Sequence, residues 1–270
     1  MKTKEPELLY QEECRQCVRT EPLQMDRIVD KLNRYMEKKE YEAAEHHLRY
    51  WLADAQLEGD RRAELSLQNE SMGFYRKMGR GEEAVQAAEA TLALVDELQL
   101  QGSITGGTCC VNAGTVFHAF GNENRAIALF DRALPLYQRY LKEDDSRLGS
   151  LFNNMALCYV ALKRYGEGYR AYERALEVMP RIPGGSLEEA ITYLNMANAV
   201  EQEHGLEKAE KKIEQYLDKA EDLLRQGRDT NEPGYYAFVL EKCAPTFRYY
   251  GYFLTAKELE QQAAAIIAAL

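Results

Sequence analysis

Three stretches of this chain repeat at a fixed interval. Residues 72–92 read MGFYRKMGRGEEAVQAAEATL, residues 114–134 read GTVFHAFGNENRAIALFDRAL, and residues 156–176 read ALCYVALKRYGEGYRAYERAL. Tyr75, Phe117 and Tyr159 fall 42 residues apart, as do Ala84, Ala126 and Gly168, and Leu92, Leu134 and Leu176. A constant period through three copies restricts the fold to a stack of equivalent units, each covering the apolar face of the next.

Each copy holds two amphipathic segments. In the third copy, Ala156 is followed by Tyr159, and then Gly168, Tyr172 and Ala175 follow at steps of four and three. Those spacings place each set on one helix face. Gly79 and Gly121 stand between the segments and suit a left-handed helix end with a tight turn. The unit is therefore expected to be a helix–turn–helix hairpin. Its small residues let the helices approach, and its aromatic rings fill the space left over.

Weaker copies flank these three. Tyr35, Tyr41, Ala44 and Trp51 suggest a unit near residues 23–58. Asn195, Met196 and Ala197 open another, 41 residues after Asn154, whose second helix is about one turn longer. Phe247, Gly251 and Ala256 mark a sixth, which ends in the apolar run AAAIIAAL. Six hairpins are expected at about 23–58, 60–100, 103–142, 145–180, 186–226 and 234–269. They form a single domain over 23–270, behind an extension or short helix at 1–22. Pro245 falls inside the last unit's first helix and predicts a bend there that closes one end of a groove.

The third copy resembles the tetratricopeptide repeat. Ala156, Tyr159, Gly168, Tyr172, Ala175 and Pro180 stand at that family's small, aromatic and proline positions. The usual repeat is about 34 residues. The 42-residue form is similar to the longer repeats of kinesin light chains and bacterial peptide-sensing regulators, and NNMA at 153–156 is similar to their asparagine-rich first helix. The resemblance implies an all-α, right-handed α–α superhelix (a TPR-like solenoid) in which the first helices line a concave groove.

By helical periodicity the candidate groove positions carry Asn69, Asn112, Asn153, Asn154, Asn195 and Asn198. Asparagine is a mediocre helix former, because its amide competes for the backbone, so the recurrence needs a reason. The amide offers donor and acceptor together and can grip an extended peptide backbone of any sequence, the role the resemblance implies. Alternatively, the amides link adjacent first helices inside the array. Arg76, Lys77, His118 and Arg248 fall near the ends of their units' first helices, where they either neutralise an acidic ligand group or belong to a solvated face. Asn69, Val111 and Asn153 occupy the position at which the family's carboxylate clamp needs lysine, which disfavours chaperone-tail binding. Tyr235, Tyr236, Tyr249, Tyr250 and Tyr252 crowd the C-terminal end, most of them as packing groups.

Other functions find little support. The net charge is −10, which repels phosphate backbones and disfavours nucleic-acid binding. No run of 18 apolar residues and no N-terminal apolar segment is present, so neither a membrane span nor a signal peptide is expected. Six cysteines in 270 residues read as reduced thiols of a cytoplasmic protein. Cys14 and Cys17 form a lone CxxC, too little for zinc or redox use. No phosphate-binding glycine loop, HExxH or G-x-S-x-G motif occurs. The expectation is a non-enzymatic scaffold with no cofactor or metal and a protein or peptide partner, with a homo-oligomer through the C-terminal hairpin also open. Two alternatives stand beside it. One is a ligand-free assembly subunit. The other is a peptide-responsive regulator without its own DNA-binding domain, since some 20 residues before the array are too few for one.

Overall fold

The structure, a computed structural model, describes residues 23–269. The expected extension over 1–22, with Cys14 and Cys17, lies outside the described residues. The chain divides into two compact units, Met1–Gln101 and Gly102–Leu270. The first contains α1 (Met25–Glu37), α2 (Tyr41–Leu57), α3 (Arg61–Lys77) and α4 (Gly81–Glu97). The second contains α5 (Ile104–Ala119), α6 (Glu123–Tyr140), α7 (Ser146–Ala161), α8 (Tyr165–Val178), α9 (Ser186–His204), α10 (Leu206–Gly227), α11 (Pro233–Tyr249) and α12 (Phe253–Ile267). Among the described residues there is no strand.

The helices pair in sequence as hairpins, and each hairpin packs on the next within its unit. In the second unit α5, α7, α9 and α11 touch one another in succession, while α6, α8 and α10 each touch the first helix that follows. In the first unit, α1 meets α3 in the same way.

Local chemistry sets the helix ends. Asp60, Ser103 and Asp145 cap α3, α5 and α7, accepting from the backbone N–H groups of Ala63, Gly106 and Arg147, each at 3.0 Å. Such caps satisfy donors that the first turn leaves orphaned. The intra-hairpin turns repeat with the sequence. Arg80 N–H donates to Tyr75 O at 2.9 Å, and Asn122 and Arg164 N–H donate to Phe117 and Tyr159 O at 2.8 Å. This closure needs a left-handed residue just before the donor. Gly79 and Gly121 supply it at φ +69° and +78°, while Lys163 is held at +59°.

The core follows the predicted stripes. Ala84, Ala126, Ala133, Ala156 and Ala175 are fully buried, and so are the rings of Phe130 and Tyr172. Each ring contributes roughly 1.5–3 kcal/mol by leaving water. As expected, the fifth hairpin has the longer second helix: α10 has 22 residues against 14 in α8.

Pro245 does not interrupt its helix. α11 runs unbroken from Pro233 to Tyr249 with Pro245 inside it, and α6 likewise contains Pro135. Both prolines are exposed, so water can reach the carbonyls, of Glu241 and Asp131, that lose their helical donor. No described helix is long and apolar enough to cross a membrane.

Candidate functional site

In the first unit the predicted residues lie on α3. Asn69 is half-buried and has interactions of its own. Arg76 is half-buried, and burial lowers its pKa. Burial also raises the carboxyl pKa of neighbouring Glu70, against a smaller opposing pull from Lys77. Lys77 is exposed.

In the second unit the asparagines mark each junction between successive first helices. Asn154 of α7 donates to Thr115 Oγ1 of α5 at 3.5 Å. Asn195 of α9 donates to Asn153 Oδ1 of α7 at 3.3 Å. Asn198 of α9 accepts from the Tyr250 hydroxyl, just beyond α11, at 2.9 Å. Asn153 is buried, while Asn112, Asn154, Asn195 and Asn198 are half-buried. A primary amide has two donor hydrogens and an acceptor oxygen. The bonds of Asn154, Asn195 and Asn198 thus engage one group of each amide and leave the others without a partner among the described residues. Asn112 has interactions of its own.

The charged candidates are placed less simply. Arg248 donates from Nη2 to both carboxylate oxygens of Glu260, at 2.6 and 2.7 Å, so its own hairpin holds it. His118 is half-buried with Nδ1 lacking a hydrogen-bond partner, 3.7 Å from Glu123. Burial lowers its pKa, with Glu123 opposing, which favours the neutral ring.

Three participants escaped the sequence reading: Thr115, Glu201 and Glu260. Glu201 accepts from Tyr249 at 2.8 Å and from Tyr250 at 2.7 Å. The two bonds fix the carboxylate between the rings, and both phenol pKa values are raised, that of Tyr250 mainly by burial and that of Tyr249 mainly by the bond itself. Beside it lies a pocket of about 560 Å³, whose lining includes Asn198, Glu201, Pro245 and Tyr249. The tyrosine pair was visible in the sequence as an aromatic cluster, but its acidic partner lies 48 residues away.

Residues 147–222 match the tetratricopeptide repeat family. That stretch is tetratricopeptide repeat sequence. Two solved structures agree with that architecture. BtubC (BKLC) from P. vanneervenii is 21% identical, covering 77% of this chain and 82% of its own, with a TM-score of 0.64. MamA is 15% identical, covering 73% of this chain and 96% of its own, with a TM-score of 0.50. At these identities the likeness concerns the fold: an all-α, TPR-like solenoid. A comparison with curated proteins finds no significant match. Tetratricopeptide arrays are generally non-enzymatic scaffolds suited to protein–protein interaction.

The thiols fit such a scaffold. Cys109, Cys110, Cys158 and Cys243 are buried. Burial pushes the Cys109 thiol up to about 11 and those of Cys158 and Cys243 up to about 12, so none is a thiolate at neutral pH.

Proposed function

We propose that this protein is a non-enzymatic scaffold that holds an extended peptide segment of a partner against the first helices of the second unit. The carrying observation is the half-used set of amides. Asn154, Asn195 and Asn198 each commit one group to a neighbouring hairpin and keep the others without a partner among the described residues. A side chain fixed by one bond loses less entropy when it makes the next, so these amides are preorganised for a backbone. Affinity comes from many modest contacts rather than one deep pocket. Arg76, Lys77 and His118 remain candidates for charged ligand groups. Arg248 serves only if the ligand displaces Glu260.

The test is selection from a displayed peptide library against the full chain, repeated with Asn112, Asn154 and Asn195 all changed to Ala. Peptides that bind the parent should bind the triple variant about tenfold or more weakly, as for the loss of two or three amide bonds, at a temperature where circular dichroism shows both proteins fully folded. Equal affinity for both proteins would remove the asparagines from the site.

Assembly through the C-terminal hairpin is a second reading, supported by the exposure of Phe253, Leu254 and Ile267 on α12. Sedimentation across a dilution series, with and without residues 260–270, tests it.

A further inference from the structure

The gap between the fourth and fifth hairpins is closed by the chain itself. Tyr165 and Tyr169, the first and fifth residues of α8, reach across to α9. The Tyr165 hydroxyl donates to Gln202 O at 3.1 Å, and the Tyr169 hydroxyl donates to Glu203 Oε2 at 2.8 Å. The first and fifth residues of α10 are Leu206 and Glu210. They hold the same places in the next gap and make no such bridge. A cleft of about 570 Å³ stands open there.

Its open walls are Leu206 of α10 and Tyr249, Tyr250 and Tyr252 at the turn between α11 and α12, above the buried Ile213 and Leu217. Leu206 is 54% exposed and Tyr249 is 68% exposed. The bonds of Tyr249 and Tyr250 to Glu201 hold the aromatic wall in place. Glu207, Glu210 and Glu214 also line the cleft, and none forms an ion pair with a described residue. Two of the four lysines of α10 lie against rings outside the cleft lining. Lys212 lies 4.9 Å from the ring of Tyr216, and Lys219 lies 5.0 Å from the ring of Tyr193.

We infer that this cleft docks a short segment of a partner protein in which an apolar side chain is flanked by lysine or arginine. The apolar side chain takes the place that the α8 tyrosines fill one gap earlier. Its cationic neighbours meet the three unpaired carboxylates and the exposed face of Tyr249, where a cation over an aromatic ring adds to the attraction. An acidic segment would instead bring like charges together, so charge decides which partners enter. This site uses none of the wall asparagines except Asn198, and only through Tyr250, so it stands apart from the function proposed above.

The test uses two fluorescein-labelled peptides, one alternating leucine with lysine and the other leucine with glutamate, titrated into the full-length protein and read by fluorescence anisotropy. The lysine peptide should bind, and more weakly as salt rises. The glutamate peptide should not bind. Changing Glu207, Glu210 and Glu214 together to Gln should weaken the lysine peptide about tenfold, since each exposed pair contributes a factor of about two. These three residues are exposed, so the variant should fold as the parent does. A second variant, Leu206→Tyr with Glu210→Tyr, copies the preceding gap and should abolish binding. The Asn112, Asn154 and Asn195 triple alanine variant should bind the lysine peptide as the parent does, whether or not the asparagine wall holds a ligand. Equal affinity for both peptides, no binding of either, or an unchanged affinity in the Gln variant would overturn the proposal. So would concentration-dependent self-association lost in the Gln variant, which would make a second copy of this chain the occupant.

Discussion

The hairpins α5–α6 and α7–α8 share one 42-residue register, yet they make room for each other's helices on opposite sides. In α5–α6 the first helix gives way. A Cβ added to Gly114 would lie 2.5 Å from Phe130 Cε1, while the second helix carries Ala126. In α7–α8 the first helix carries Ala156 and the second gives way, with a Cβ on Gly168 falling 2.9 Å from Val160 Cγ2. Three further equivalent pairs differ. Phe130 becomes Tyr172, whose buried hydroxyl has no partner among the described residues. His118 becomes Val160, and Gly121 becomes Lys163. A repeat therefore conserves a volume and a backbone path rather than particular residues, and each copy leaves its own small defects.

Exchanging residues between the two copies puts that to the test. The largest effect is expected at the closest contact. Gly114→Ala should cost about 1–3 kcal/mol in urea unfolding, because a buried ring must move. The reciprocal Ala156→Gly should cost only about 1 kcal/mol, through helix propensity. If Gly114→Ala proved neutral, the two packings would be interchangeable and the comparison would fail.

Next come the rings. Phe130→Tyr should lose about 1–3 kcal/mol by burying a hydroxyl, as Tyr172 does at the equivalent place. Tyr172→Phe should be neutral or raise stability by about 1 kcal/mol, which a thermal melt would register. A clear loss on Tyr172→Phe would mean that the hydroxyl has a partner, such as an ordered water. At the turns, Gly121→Ala should cost about 1 kcal/mol and Lys163→Gly should gain a similar or smaller amount, since both positions have positive φ.

The smallest difference is one of pH. Burial holds the His118 pKa below the ordinary histidine value of about 6.5. As pH falls below about 6.5, the unfolded chain takes up a proton that the folded one resists. The stability from this group is therefore present above that pH and is lost as the pH falls through the folded value. His118→Val, the residue at the equivalent place in α7, should flatten the fall in melting temperature between pH 7 and pH 5. An unchanged slope would move the acid sensitivity to His47, whose pKa burial also lowers.

Much of this architecture was legible in the residue order. The 42-residue period, the small–aromatic–small stripes and the glycine turns marked the second to fourth hairpins, because burial on a helix face imposes a local period. Lys163 shows the limit. Nothing in a lysine announces a left-handed turn, and only its register with Gly79 and Gly121 points there.

What the sequence determined by itself was the set of hairpins and the helix faces they bury, since both follow from spacings of three and four residues and from caps within one turn. Tertiary structure decided who meets whom across the stack: Asn195 with Asn153, Arg248 with Glu260, Tyr249 with Glu201. It also left Leu206 and Glu210 unbridged where Tyr165 and Tyr169 are engaged. Those partners stand 12 to 48 residues apart, and their meeting depends on how far each hairpin is rotated and shifted on the last. Summed packing forces set that rotation and shift, and no local pattern of residues records them.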